Sequence, residues 1–207
     1  MSVKVLSKGE ATRGRILDIA QDAVLAKGFA GTSLDEIIAE AAITKSGFFY
    51  HFKDKNDLAK ALLQRYLDEE WRVFDGLFKQ ADELSDDPLH SFLIFLKLFA
   101  DLTNDLPNGH PGCLVASYVY QDHLFSREVR TMSEEGHRIW RKRFRERLDP
   151  IAVRYPPRID VSLDDMADML SAMVDGAIIL SKSLHEPGVL PRQILQYRSY
   201  VKLVFGG

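Results

Sequence analysis

Residues 33–55 read SLDEIIAEAAITKSGFFYHFKDK, and this stretch decides the fold. Ser33-Leu34-Asp35-Glu36 has the form of a capping box: the Ser33 hydroxyl can accept the Glu36 amide while the Glu36 carboxylate reaches back. The spacing predicts a short helix from about Leu34 to Ala41. Ile43 and Thr44 break its phase, and Thr44 can cap a second short helix holding Lys45 to Tyr50. Four aromatic rings and a histidine crowd positions 48–52, with Lys45, Lys53 and Lys55 around them. A buried enzyme corner would keep lysines out, and a membrane anchor would need a longer apolar run.

Working outward, Ile16, Ile19, Ala20, Ala23 and Val24 recur at i, i+3, i+4, i+7 and i+8, the mark of a one-sided helix that Lys27-Gly28 stops. Downstream, Lys53-Asp54-Lys55 starts a long helix carrying Leu58, Leu62 and Tyr66 toward Phe78. Pro88 suits the first turn of a helix through Leu106, and LPNGHPG at 106–112 is a loop. A short helix from Cys113 to about Gln121 follows, then a long one from Ser126 to about Val153 with Trp140, Phe144, Leu148 and Ile151 in a stripe. Ser162 caps a helix carrying Leu163, Met166, Leu170, Val174 and Ala177, and a last helix runs from Pro191 to about Val204. No strand pattern or repeat interrupts this order. The expected fold is all-α, with about nine helices.

Bulk properties narrow the function. The 207 residues carry a net charge of −3, so no global positive field exists. Residues 1–60 hold 9 Lys+Arg against 8 Asp+Glu, and residues 61–207 hold 18 against 22. Any attraction to nucleic acid must therefore come from a local patch. One cysteine, Cys113, rules out an intramolecular disulfide and suits a reducing cytoplasm. Met1–Arg15 lacks a signal-peptide run, and His90, Lys97 and Asp101 interrupt the most apolar stretch, 89–106, so that it reads as a buried helix rather than a membrane span.

Two short helices joined by a tight turn, the second rich in small polar and basic residues, form a helix-turn-helix. A reading helix must enter a groove about 12 Å wide, so its outer face needs small or flexible donors: Thr44, Lys45, Ser46 and Gly47. Phe48 and Phe52 can pack back on the preceding helix. Tyr50, His51 and Lys55 can lie along the phosphate backbone.

The segment Arg15–Leu62 resembles the DNA-binding domain of the tetracycline-repressor (TetR) family of bacterial transcription regulators. The resemblance rests on Gly28-Phe29, Thr32-Ser33, the Ile37-Ile38-Ala39 core, Tyr50-His51-Phe52, and Lys55 with Leu58. It covers about a quarter of the chain. It implies residues 1–56 as the DNA-binding domain and 57–207 as a larger helical domain that binds a ligand and dimerises through the last two long helices. It implies Thr44, Lys45 and Ser46 toward bases, and Thr32, Ser33, Tyr50, His51 and Lys55 toward phosphates. Two departures stand out. Ala41-Ala42 replaces the family's Ala-Gly turn, so Ala42 needs either a different turn or a positive φ. Phe49 falls where the family most often has tyrosine, and lacks the hydroxyl.

The implied function is a cytoplasmic, homodimeric repressor that binds a near-palindromic double-stranded operator and is released by a small-molecule effector. Effector-lining candidates are Phe92, Phe95, Phe99, Cys113, Tyr118, Phe144, Met169 and Met173, each of which also suits ordinary core packing. No cofactor and no enzymatic activity are expected: GxSxG is absent and Cys113 has no evident base. His110, Cys113 and His123 lack the second tight pair of a metal site. RIWRKRFRER at 138–147 reads as a solvated basic face. The alternative is a helical carrier or enzyme that shares only the N-terminal fold.

Overall fold

The computed structural model describes residues 7–107 and 109–206. Among them the chain forms α1 (Lys8–Lys27), α2 (Leu34–Glu40), α3 (Lys45–His51), α4 (Lys55–Leu84), α5 (Pro88–Asn104), α6 (Leu114–Val119), a 3-10 turn (Asp122–Leu124), α7 (Arg127–Arg154), α8 (Leu163–Leu184) and α9 (Val189–Phe205). The all-α expectation holds for the described residues. Two compact units result: Met1–Asp68 with Cys113–Glu134, and Glu69–Gly112 with Glu135–Gly207.

In the first unit the helix starts follow from side-chain caps. Ser7 and Glu10 form a reciprocal capping box on α1 that was not anticipated from the sequence. Ser33 caps α2 by accepting the Glu36 amide at 3.1 Å, but the expected box is only half made, because the Glu36 carboxylate pairs with Lys27. The core is built from Ile16, Leu17, Ala20 and Val24 of α1, Ile37 of α2, Phe48 of α3, and Leu58 and Leu62 of α4, all buried. Each large apolar side chain so buried contributes about 1.5–3 kcal/mol. Arg65 ties α4 to α1 with bonds to Asp18 at 2.6 Å and Gln21 at 3.1 Å. Segment 113–134 completes this core. Tyr118 stacks on Phe125 at 4.2 Å, its hydroxyl donates to the Ala59 carbonyl at 3.0 Å, and Lys60 pairs with Glu128.

The second unit centres on α5. Phe95 is fully buried, stacked on Phe78 at 4.0 Å and close to Phe74 and Phe99. Trp140 and Phe144 of α7 close the cluster, with Trp140 4.6 Å from Phe74. Helix α9 packs on α5 and α8. There the Tyr197 hydroxyl donates to the Met166 carbonyl at 2.7 Å, and Arg198 donates to the Leu93 carbonyl at 2.8 Å. The basic run on α7 is laced to carboxylates: Arg141 to Asp168, Arg145 to Asp149 and Asp164, Arg143 to Asp75, and Arg147 to Asp82. Element ends shift slightly from expectation. Helix α9 starts two residues earlier, at Val189, which places Pro191 within the first turn where its missing N–H costs nothing.

Candidate nucleic-acid interface

The interface is built from α2, its turn and α3. The turn solves its geometry with alanine rather than glycine: Ala42 sits at φ 50°, in the left-handed region. Amides of Ala41, Ala42 and Ile43 donate to the carbonyls of Ile37, Ala39 and Ile38, closing the end of α2. A left-handed alanine costs about 1–2 kcal/mol, which the surrounding bonds offset. Thr44 then caps α3, its hydroxyl oxygen accepting the Gly47 amide at 3.1 Å and lying 3.2 Å from the Ser46 hydroxyl.

The aromatic cluster divides by face. Phe48 is 0% exposed and Phe52 is buried beside it, ring centroids 5.6 Å apart, with the Arg13 guanidinium 5.0 Å over the Phe52 ring. These rings anchor α3 from below. On the opposite side Lys45 and Ser46 are exposed, Phe49 is 44% exposed and Tyr50 83% exposed. His51 is half-buried, edge-on to Tyr50 at 5.0 Å, and Gly47 is half-buried beneath Thr44. The outer face of α3 therefore offers a lysine, two small hydroxyls and two exposed rings: hydrogen-bond donors and apolar contacts suited to base edges and phosphates.

Several residues take places different from those expected. The Thr32 side chain is 1% exposed, and its hydroxyl donates to the Gly28 carbonyl at 2.9 Å, so it is engaged inside the loop. Lys55 donates to the Phe29 carbonyl at 2.8 Å and lies 4.4 Å over the Phe29 ring. Partial burial pulls its pKa below the ordinary lysine range. Both residues support the loop instead of facing outward, because a carbonyl and a ring lie within their reach. Ser33 remains exposed, though its hydroxyl is engaged in capping α2. Of the effector candidates, Tyr118 and Cys113 belong to the first unit, Tyr118 buried and Cys113 capping α6. Phe92, Phe95, Phe99 and Phe144 do gather in the second unit, while Met169 is exposed and Met173 half-buried on α8. The exposed ring of Phe49 was not singled out as a contact, although its i, i+4 relation to Lys45 places both on one helical face.

A helix-turn-helix with an exposed reading helix, in an all-helical chain, defines the class: a DNA-binding transcription regulator. Residues 16–62 match the profile of the bacterial regulatory proteins, tetR family. The chain is 24% identical over 170 residues to the HTH-type transcriptional repressor DhaR of Mycobacterium sp. (strain GP1), covering 82% of each. It is 40% identical over 58 residues to the HTH-type transcriptional regulator AcrR of Shigella flexneri, a stretch spanning 28% of this chain and 27% of that protein. A TetR-family regulator from Agrobacterium tumefaciens shares the fold with a TM-score of 0.78 at 18% identity, over 96% of this chain and 100% of that one. A TetR transcriptional regulator from Chloroflexus aurantiacus J-10-FL gives 0.76 at 22% identity, over 95% and 97%. Residues 16–62 thus match the DNA-binding segment of the TetR family, and the chain as a whole is similar in sequence and fold to transcription regulators of that family. Among the described residues no helix is long and apolar enough to cross a membrane, and no group of three or more His, Cys, Asp or Glu is placed to hold a metal ion.

Proposed function

We propose that the protein is a homodimeric repressor that lays α3 of each subunit into successive major grooves of a near-palindromic operator. The observation that carries this is the two-faced α3: Phe48 and Phe52 locked inward, Lys45, Ser46, Phe49 and Tyr50 turned outward. In this reading Thr44, Lys45, Ser46 and Gly47 meet base edges, and Ser33, Tyr50 and His51 meet phosphates. The relative named a repressor supports the sign of regulation. Dimerisation is supported by an apolar face on α8, where Met169, Met173, Gly176, Leu180 and Leu184 recur on one side and Leu180 is 47% exposed, with Leu195 and Leu203 exposed on α9. The stripe Ala167, Ala177, Tyr197, Val201 and Val204 is internal core and not part of this face. An apolar effector would lodge among the α5 and α7 rings, Phe92, Phe95, Phe99 and Phe144, and weaken DNA binding by the same factor by which DNA weakens its own.

The test is a mobility-shift titration against DNA flanking the protein's own gene. Saturable, salt-sensitive binding to one palindromic segment is expected, with the complex migrating as a dimer. Absence of any specific segment would sink this reading and leave a carrier or enzyme sharing the N-terminal fold.

A further inference from the structure

The loop between α1 and α2, Gly28–Ser33, leads directly into α2, and its polar groups are engaged both within the loop and by other parts of the first unit. The Gly28 amide donates to Val24 and the Gly28 carbonyl accepts from Thr32. The Phe29 carbonyl accepts from Lys55. The remaining hold comes from 91 residues away: the Gln121 side-chain carbonyl accepts the Ala30 amide at 3.1 Å. Gln121 lies at the end of α6, just before the 3-10 turn. It is steered there by its neighbours, since Phe29 packs on Phe125 at 4.5 Å and edge-on to Tyr118 at 5.9 Å. The Gln121 amide lies close against Gly28, whose positive φ already favours glycine. A Cβ at Gly28, which sits at φ 77°, would meet Gln121 Nε2 at 2.6 Å.

We infer that Gln121 is a positioning residue for DNA reading: it latches the α1–α2 loop and so sets the entry of α2 against which α3 is held, without touching DNA itself. The inference rests on the operator-binding function proposed above. Loss of one bond to a backbone amide loosens the loop locally, because the apolar contacts of Phe29 with Tyr118 and Phe125 remain. Ser33, whose hydroxyl caps α2, follows Ala30 by three residues, so slack in the loop moves the phosphate-facing end of α2 before it moves the core.

The full-length chain carrying Gln121→Ala, Gln121→Leu or Gln121→Glu tests this through operator affinity, melting temperature and amide hydrogen exchange at Ala30. Glutamate keeps an acceptor oxygen at the same reach; alanine and leucine do not. Expected are exchange at Ala30 about 10-fold faster and operator affinity about 10-fold weaker in the alanine and leucine variants, with glutamate within about threefold of wild type on both readouts. The slope of affinity against salt should stay that of wild type in alanine and leucine, since no phosphate contact is removed. Wild-type binding that is unchanged in alanine and leucine overturns the positioning role while leaving the operator function standing. Equal loss in all three variants together with a falling melting temperature overturns it too, by reducing Gln121 to a packing residue. Failure of the wild type to bind any operator defeats the function itself, and the inference with it.

Discussion

Ala42 shows how much a single backbone angle can reveal. The turn of this helix-turn-helix demands φ 50°, which alanine tolerates only under strain. Ala42→Gly should remove that strain at the cost of some unfolded-state entropy, for a net gain of about 0.5–1 kcal/mol and a melting temperature raised by roughly 2–4 °C. Calorimetry decides it, and a lower melting temperature would mean the left-handed alanine carries no burden here. Two lysines provide a second contrast. Lys45 is exposed on the outer face of α3, whereas the Lys55 ammonium is engaged by Phe29. Lys45→Ala should flatten the dependence of operator affinity on salt by about one unit. Lys55→Ala should leave that slope alone and lower stability by about 1–2 kcal/mol. Salt titrations of both variants, with denaturant melts alongside, separate the roles; a flattened slope in Lys55→Ala would return it to the phosphates.

Helix starts are where sequence and structure agree best, and where tertiary context adds what local pattern omits. Pro88 at the first turn of α5 and Thr44 ahead of α3 were legible because a cap acts within three residues of itself. The cap of α5 shows the limit. Asp87 accepts the His90 amide at 2.9 Å as a local rule would have it, but it also accepts the Tyr155 hydroxyl at 2.6 Å and lies 3.3 Å from Arg154, partners 68 and 67 positions away in sequence. The Tyr155 hydroxyl, with the His90 amide and the Arg154 charge, holds the Asp87 carboxyl below its ordinary 3.8. The folded state thus favours the carboxylate, so the stabilisation is present above pH 3.8 and is lost as pH falls through the lower folded value. Asp87→Asn keeps the cap acceptor but loses the carboxylate, so it should lower stability at pH 7 and flatten the acid limb of the melting-temperature profile below pH 4. An acid limb identical to wild type would show that Asp87 does not titrate with folding. The same limit explains Thr32, Lys55 and Tyr118. Their residue types suit a surface or a pocket, and only the folded unit shows Gly28 and Phe29 of the loop and Ala59 of α4 offering carbonyls nearer at hand.

At the scale of the whole molecule, the helical pattern of the second unit was readable and its faces were not. Periodicity marks which residues of α8 and α9 are apolar, but both sides of α8 carry apolar residues, so only packing distinguishes the buried Ala167 and Ala177 from the outward Leu180 and Leu184. If the outward face joins two copies, Leu180→Glu should yield a monomer by sedimentation and lower apparent operator affinity by about 100-fold or more, since the second half-site contact is no longer intramolecular. A dimeric Leu180→Glu variant would move the interface elsewhere.

The first unit is assembled from two stretches far apart along the chain, with Tyr118, Gln121 and Phe125 arriving long after α3. During synthesis on the ribosome, the DNA-reading helices emerge early yet lack the rings and the amide acceptor that close over Phe29. A nascent chain stalled before residue 113 should therefore hold an unfinished head, and protease resistance of the N-terminal helices should rise only once the stretch through Glu134 has cleared the exit tunnel.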